Sequence, residues 1–410
     1  MNGWQRALLA LVCGVSVASV YTAQPILEPM GGDIGVAPEH AGWIVATAQL
    51  GYSSGLILLV PLGDVIADRR KLIAGHLALI AVALVSTASA PAAWVAFSGL
   101  AATGVFAVVV QTTVAYAAAM SPPAERGRNI GVVTAGVVAG ILGARVGTGT
   151  LADLWGWRSV YGVLAAASLA LAALALTALP SPEGTTTGRY SESMAALGKL
   201  FAQRNFQAHS LIAFFLFASF GTLWSGYAMA LTGPPWQLSE SQIGLFGVAG
   251  LIGAFGAARA GRWADAGRAR AVTGIALTLL LLSWAPIAQL PTSLWLLAAG
   301  VLVLDFAVQA VQVSNQHILT AAYPDRVSTV IGGYMVFYSL GSAAGAAATT
   351  AVFTAHGWAV SSLLGAGFAG GALAAWLLGA RRSRPGDTDP HVMLPRPVDM
   401  PTIQGPAVRQ

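Results

Sequence analysis

Four polar side chains recur at helical spacing inside an otherwise apolar stretch: Asp305, Gln309, Gln312 and Gln316, at i, i+4, i+7 and i+11. On an α-helix this spacing puts all four on one face. A carboxylate at such a depth in apolar sequence costs at least ~2.5–3.5 kcal/mol to insert in a bilayer, so it must face a wet cavity, hold a partner or take a proton. Asp305 is therefore the candidate proton or substrate site. The alternative is a structural aspartate held by backbone or amide donors. Arg145 is the matching base, some seventeen residues beyond Arg128. It could hold an anionic substrate group, pair with Asp305, or balance Asp153 one or two turns further along.

Amides and aromatics elsewhere suit a binding pocket with apolar walls and a few orienting hydrogen bonds. Gln24, Gln49, Gln111 and Thr112, Trp224 and Tyr227, and Tyr334 and Tyr338 are such candidates. Taken singly, each reads as well as packing or an interface anchor. As a set they favour a neutral or weakly charged ligand.

The elements that carry these residues follow from composition. Of 410 residues, 9% are charged and 56% hydrophobic, with a mean hydropathy of +0.69. A soluble domain carries roughly a quarter charged residues, so this chain is neither soluble nor disordered. One cysteine, Cys13, excludes an internal disulfide or a cysteine-ligated metal cluster. Stretches of about 20 apolar residues, enough to span a bilayer, occur at 7–27, 41–62, 72–90, 94–120, 130–151 and 160–179. Six more follow at 210–231, 243–260, 272–290, 294–320, 327–355 and 359–380. The first continues to Leu27 without a polar cleavage region, which favours a span over a signal peptide.

Basic residues sort by side. Of the 21 Lys and Arg, 19 lie on one side, in the termini, the even-to-odd loops and the linker or, for Arg259, at the adjoining end of the eighth span; only Arg145 and Arg158 do not. The positive-inside rule places that face, and both termini, in the cytoplasm. The basic pI of 9.6 is thus a topology signal, and no nucleic-acid partner is expected.

A shift of 200 or 201 residues superposes the halves. Pro38-Glu39 meets Ser239-Glu240, Asp64 meets Asp265, Arg69 meets Arg270, Glu125-Arg126 meets Asp325-Arg326, and Gly156-Trp157 meets Gly357-Trp358. Two parallel six-span repeats are a transporter architecture. The expected divisions are 1–179 and 207–380 as helical bundles, 180–206 as a flexible cytoplasmic linker, and 381–410 as a proline-rich disordered tail. Glycines recur in the fifth span (Gly136, Gly140, Gly143, Gly147) and the eighth (Gly244, Gly247, Gly250, Gly253, Gly256), where small residues permit close helix approach. A contact between these two spans across the halves is expected.

With these features the chain resembles the major facilitator superfamily. The loop Pro61-Leu62-Gly63-Asp64-Val65-Ile66-Ala67-Asp68-Arg69-Arg70-Lys71 and its degenerate copy at 261–270 carry the likeness. Tyr21-Thr22-Ala23-Gln24-Pro25, Ala144-Arg145 and Asn315-Gln316 are similar to a bacterial subgroup of drug or sugar efflux permeases. The resemblance implies an all-α membrane protein with twelve transmembrane helices in two six-helix bundles. It implies gating roles for Asp64, Arg69, Arg70, Asp265 and Arg270, the arginines pairing with acids or phospholipid head groups. It also brings Asn315 into the substrate set.

The chain departs from the superfamily's antiporter pattern in the fifth span, where Ile141 follows Gly140 in place of proline. The first span lacks a mid-membrane acid, and the fourth lacks an arginine. Proton coupling therefore rests on Asp305, with Glu28 at the outer end of the first span a distant second.

The expected function is secondary export of small organic molecules, drug-like or sugar-like, by alternating access and coupled to protons. The alternative is an uptake porter or facilitator for a sugar or other metabolite. A membrane receptor or scaffold without transport is the reading of another class. No enzyme, cofactor or metal site is expected, and His76, His317 and His356 lie on separate segments. A monomer in a bacterial cytoplasmic membrane is expected, two lysines against nineteen arginines pointing to a GC-rich genome.

Overall fold

The computed structural model describes residues 1–122, 125–181, 189–256, 268–323 and 326–382, and these are helical apart from short connections. In chain order the α-helices are α1 (Gly3–Tyr21), α2 (Leu27–Ile34), α3 (Gly42–Leu58), α4 (Arg69–Ala88), α5 (Ala93–Phe106), α6 (Val109–Ala119) and α7 (Arg126–Trp155). They continue as α8 (Trp157–Ala178), α9 (Tyr190–Phe201), α10 (Arg204–Thr232), α11 (Glu240–Gly256), α12 (Ala269–Ile287), α13 (Leu294–Ala322) and α14 (Val327–Arg382). Among the described residues, nine stretches are long and apolar enough to cross a membrane.

Caps and glycines set the boundaries. Asn2 and Gln5 form a reciprocal capping box at the start of α1, with Gln5 N–H to Asn2 Oδ1 at 2.8 Å. Asp68 caps α4 by accepting the Lys71 N–H at 3.3 Å. Gly156 separates α7 from α8 at φ +77°, and Gly357 interrupts α14 at φ +75°. Both angles lie in the left-handed region that favours glycine. The tryptophan that follows each is buried, and its indole N–H finds an acceptor: Trp157 donates to Asp33 at 3.0 Å, Trp358 to the Ile287 carbonyl at 3.0 Å. The repeat landmark Gly-Trp is therefore a repeated chain reversal.

Three features differ from the sequence expectation. Residues 190–201, inside the expected flexible linker, form α9, which buries Leu197 and Leu200 against Phe206, Leu319 and Val330. The fourth expected span is two helices, α5 and α6, meeting at 107–108. A short helix, α2, follows the first span and ends at Gly35.

Side chains on the outer surface are apolar: Leu11, Val82, Leu169, Leu211 and Leu282 are all exposed. Large exposed apolar side chains in this number suit lipid. Exposed Trp94, Trp155 and Trp295 sit at helix ends, where indoles anchor at the bilayer interface. Inside, α10 packs along α14, α1 along α7, α4 along α8, and α12 along α13. Two further seams join the first half of the chain to the second, α3 with α14 and α7 with α11. The second seam is the contact expected from the glycine pattern.

Candidate functional site

A cavity of about 470 Å³ opens at the end of the helices that carries Arg69. Lining residues come from α1, α3, α6, α7, α13 and α14, with Ser193 and Leu197 of α9 at its mouth. Gln309, Gln312 and Gln316 line it, so the amide part of the polar stripe faces the cavity as expected. Gln111 lines it too and donates to the Tyr52 hydroxyl at 3.2 Å. At the deep end are Tyr21, Ile141 and Tyr338. The hydroxyls of Tyr21 and Tyr338 meet there and join α1 to α14. Tyr338 is tilted against Phe217, ring centroids 3.7 Å apart.

Beyond this tyrosine pair lie Arg145 and Asp305. Arg145 is one helical turn past Ile141 and 0% exposed; Asp305 is 2% exposed. The ion pairs among the described residues join Arg70 and Lys71 to Asp68 and Arg158 to Asp33, so Arg145 and Asp305 are not in direct contact. Trp224 touches both. Its ring carries the Arg145 guanidinium at 3.5 Å from the centroid, and its Nε1–H donates to Asp305 Oδ1 at 3.3 Å. Arg145 Nη2 also donates to Gln24 Oε1 at 3.1 Å. Arg145 Nε and Nη1, Gln24 Nε2 and Asp305 Oδ2 are buried without a hydrogen-bond partner. A desolvated cation–π contact contributes about 2 kcal/mol, whereas burying an ion costs several kcal/mol. The site is therefore electrostatically incomplete.

The far end is closed by the α7–α11 seam. Gly149 and Gly244 let the backbones meet: a Cβ at Gly149 would strike the Glu240 carbonyl, and one at Gly244 the Arg145 carbonyl. One turn after Gly149, Asp153 accepts the N–H groups of Glu240 at 3.1 Å and Ser241 at 3.0 Å, the first turn of α11. Asp153 is thus committed to a helix N-terminus, where a carboxylate is stabilised by free N–H groups and the helix dipole. Of the three roles open to Arg145, balancing Asp153 is therefore the one this geometry does not support.

Other candidates lie off the cavity. Gln49 is fully buried with neither amide atom hydrogen-bonded. Tyr227 donates to the Ile243 carbonyl at 3.2 Å, joining α10 to α11. Asn315 meets His209 Nδ1 at 3.2 Å, and Tyr334 belongs to the cluster around Leu197 and Phe206. In the loop between α3 and α4, Arg69 Nε donates to the Gly63 carbonyl at 3.1 Å. Arg70 binds Asp68 at 3.4 Å and the Leu176 and Leu179 carbonyls at the end of α8. Partial desolvation pushes the Asp68 carboxyl up, but the Lys71 N–H and the Arg70 and Lys71 charges outweigh it, holding its pKa below the usual carboxylate value. Arg270 is exposed, while Asp265 and the Asp64 side chain lie outside the described residues. Tyr21, Asp68 and Asp153 emerge from the structure; the first two were visible only as members of longer motifs.

The Major Facilitator Superfamily profile matches residues 9–238 and 210–399. The uncharacterized transporter YgaY of Escherichia coli O157:H7 is 39% identical over 92% of this chain and 95% of its own. The Streptomyces coelicolor protein SCO4007 is 31% identical over 86% of this chain and 82% of its own. Among solved structures, a bacterial homologue of the human lysosomal transporter Spinster, inward-facing and occupied, superposes with a TM-score of 0.74. It has 17% identity and covers 92% of this chain and 96% of that one.

Proposed function

Since the chain belongs to the Major Facilitator Superfamily, a family of transporters and not of enzymes, we propose that it exports small organic molecules across the bacterial cytoplasmic membrane, coupled to protons through Asp305. Its twelve spans would be α1, α3, α4, the α5–α6 pair, α7, α8, α10 to α13 and the two limbs of α14. These would form six-helix bundles at 1–179 and 207–380, with both termini cytoplasmic. The arginine-bearing end, where the cavity opens, would then face the cytoplasm.

One observation carries this reading: a cavity open at one end stops at a tyrosine pair, behind which Arg145 and Asp305 are buried at the face and the edge of Trp224. Alternating access requires such a site, reachable from one side at a time. Asp305 keeps one oxygen on the indole and leaves Oδ2 unpartnered, an atom free to take a proton. Arg69 and Arg70 would act with Asp64, Asp265 and Arg270 at the cytoplasmic gate. Export, as against uptake, is favoured by the Tyr21–Pro25 and Asn315-Gln316 motifs. The test is proton movement in inside-out vesicles with an acidified lumen, challenged with a panel of drug-like, sugar-like and organic-acid compounds. Wild type should discharge the gradient on substrate addition while Asp305→Asn should not. An Asp305→Asn protein that discharges it equally would overturn the coupling.

A further inference from the structure

The charges along the route discriminate between substrate classes. Among the described residues no carboxylate lines the cavity, and its charged lining residue is Arg69. A solute moving inward passes neutral amides and apolar walls until the Tyr21–Tyr338 pair. Behind that pair, Phe220 packs edge-on against Tyr21 and has the Arg145 guanidinium 5.4 Å from its ring centroid, so Arg145 adjoins the pair. Two of its nitrogens, Nε and Nη1, have no acceptor, and the third holds only the neutral Gln24 amide oxygen. Gln24 Nε2, fully buried beside it, also lacks an acceptor. The carboxylate of Asp305 lies at the edge of the same indole, with Oδ1 already held by Trp224 Nε1–H.

We propose that the substrate is an organic monoanion, one carboxylate or sulfonate on an apolar body, whose charge is taken by Arg145 and the Gln24 amide once the tyrosine pair parts. The proposal rests on the transport reading and narrows it. An anion gains two unpartnered donors of a buried guanidinium. A cation approaching Asp305 is repelled by the Arg145 guanidinium stacked on the same indole, and a dianion finds one buried cation where it needs two.

Matched probes test this on the purified full-length protein: 2-naphthalenesulfonate, neutral 2-naphthalenemethanol, (2-naphthylmethyl)trimethylammonium and 2,6-naphthalenedisulfonate, with phenyl analogues as a smaller set. A ligand of the folded state raises the thermal midpoint. The monoanions should raise it by several degrees and the other probes should not. Arg145→Gln should lose the shift and Gln24→Ala should reduce it. Asp305→Asn should keep or enlarge it, because a nearby negative charge is removed. An equal shift from the cations, a full shift in Arg145→Gln, or no shift from either monoanion would overturn the proposal. The comparison among probes in wild type stands even where Arg145→Gln does not fold. Failure of proton coupling in the vesicle assay would leave the monoanion shift in place, so the two readings fail separately.

Discussion

Trp224 divides its two polarities between two charges: the π face holds Arg145 and the N–H holds Asp305. Trp224→Phe keeps a ring face but removes the donor, whereas Trp224→Leu removes both. Leucine should therefore cost about 1–2 kcal/mol more than phenylalanine in thermal unfolding, the worth of a buried cation–π contact. Equal losses would mean that packing alone is at stake. Arg145 and Asp305 were legible in the sequence because charge is scarce in the spans and neither fits the positive-inside rule. The bridge was not, because a tryptophan on a different helix reads first as packing. The contacts of Asp153 were not legible either, for a related reason. Its acceptors' partners are backbone N–H groups 87 and 88 residues away, and a backbone donor leaves no mark on residue identity.

At the level of elements, caps and close approaches decide where helices begin and how near they come. Asp68 is the N-cap of α4, so Asp68→Ala should lower stability by about 0.5–1 kcal/mol at neutral pH. Because its folded-state pKa is depressed, that contribution is present above its unfolded value near ~3.9 and is lost as pH falls through the lower folded value. Thermal midpoints of wild type and variant should converge on strong acidification; a constant gap would contradict the assignment. On the α7–α11 seam, Gly149→Val would drive a side chain into the Glu240 carbonyl, an overpacking of about 1–3 kcal/mol. The seam should loosen, and a cysteine at Ile243, buried in wild type, should react faster with an impermeant maleimide in a Cys13→Ser background. Unchanged labelling would show that the glycine is dispensable. The α11 run pointed to this seam correctly, since Gly244 and Gly247 pack on α7, but the α7 run did not: Gly136 and Gly140 pack on α1, and the close approach from α7 comes from Gly149, outside the run. Helix α9 was missed: it is short, follows a proline- and threonine-rich stretch, and is held by Leu197 and Leu200 against residues far along the chain.

For the molecule as a whole, the repeat visible at an offset of 201 residues reappears as two glycine reversals followed by buried tryptophans, at Gly156 and Gly357. The halves meet along α3–α14 and α7–α11, and the cavity lies toward one end of those seams. What the sequence could not convey is which end is shut, since that is a property of the conformation and not of any residue. Alternating access requires the closed α7–α11 end to open in each cycle. The direct measurement is a reversible lock: cysteines at Asp153 and Ser241 in a Cys13→Ser background, joined by a short methanethiosulfonate bridge in proteoliposomes. Locking a required motion should cut transport of a substrate identified in the vesicle panel roughly tenfold or more, and reduction of the bridge should restore it. Full transport with the bridge intact would contradict alternating access through this seam.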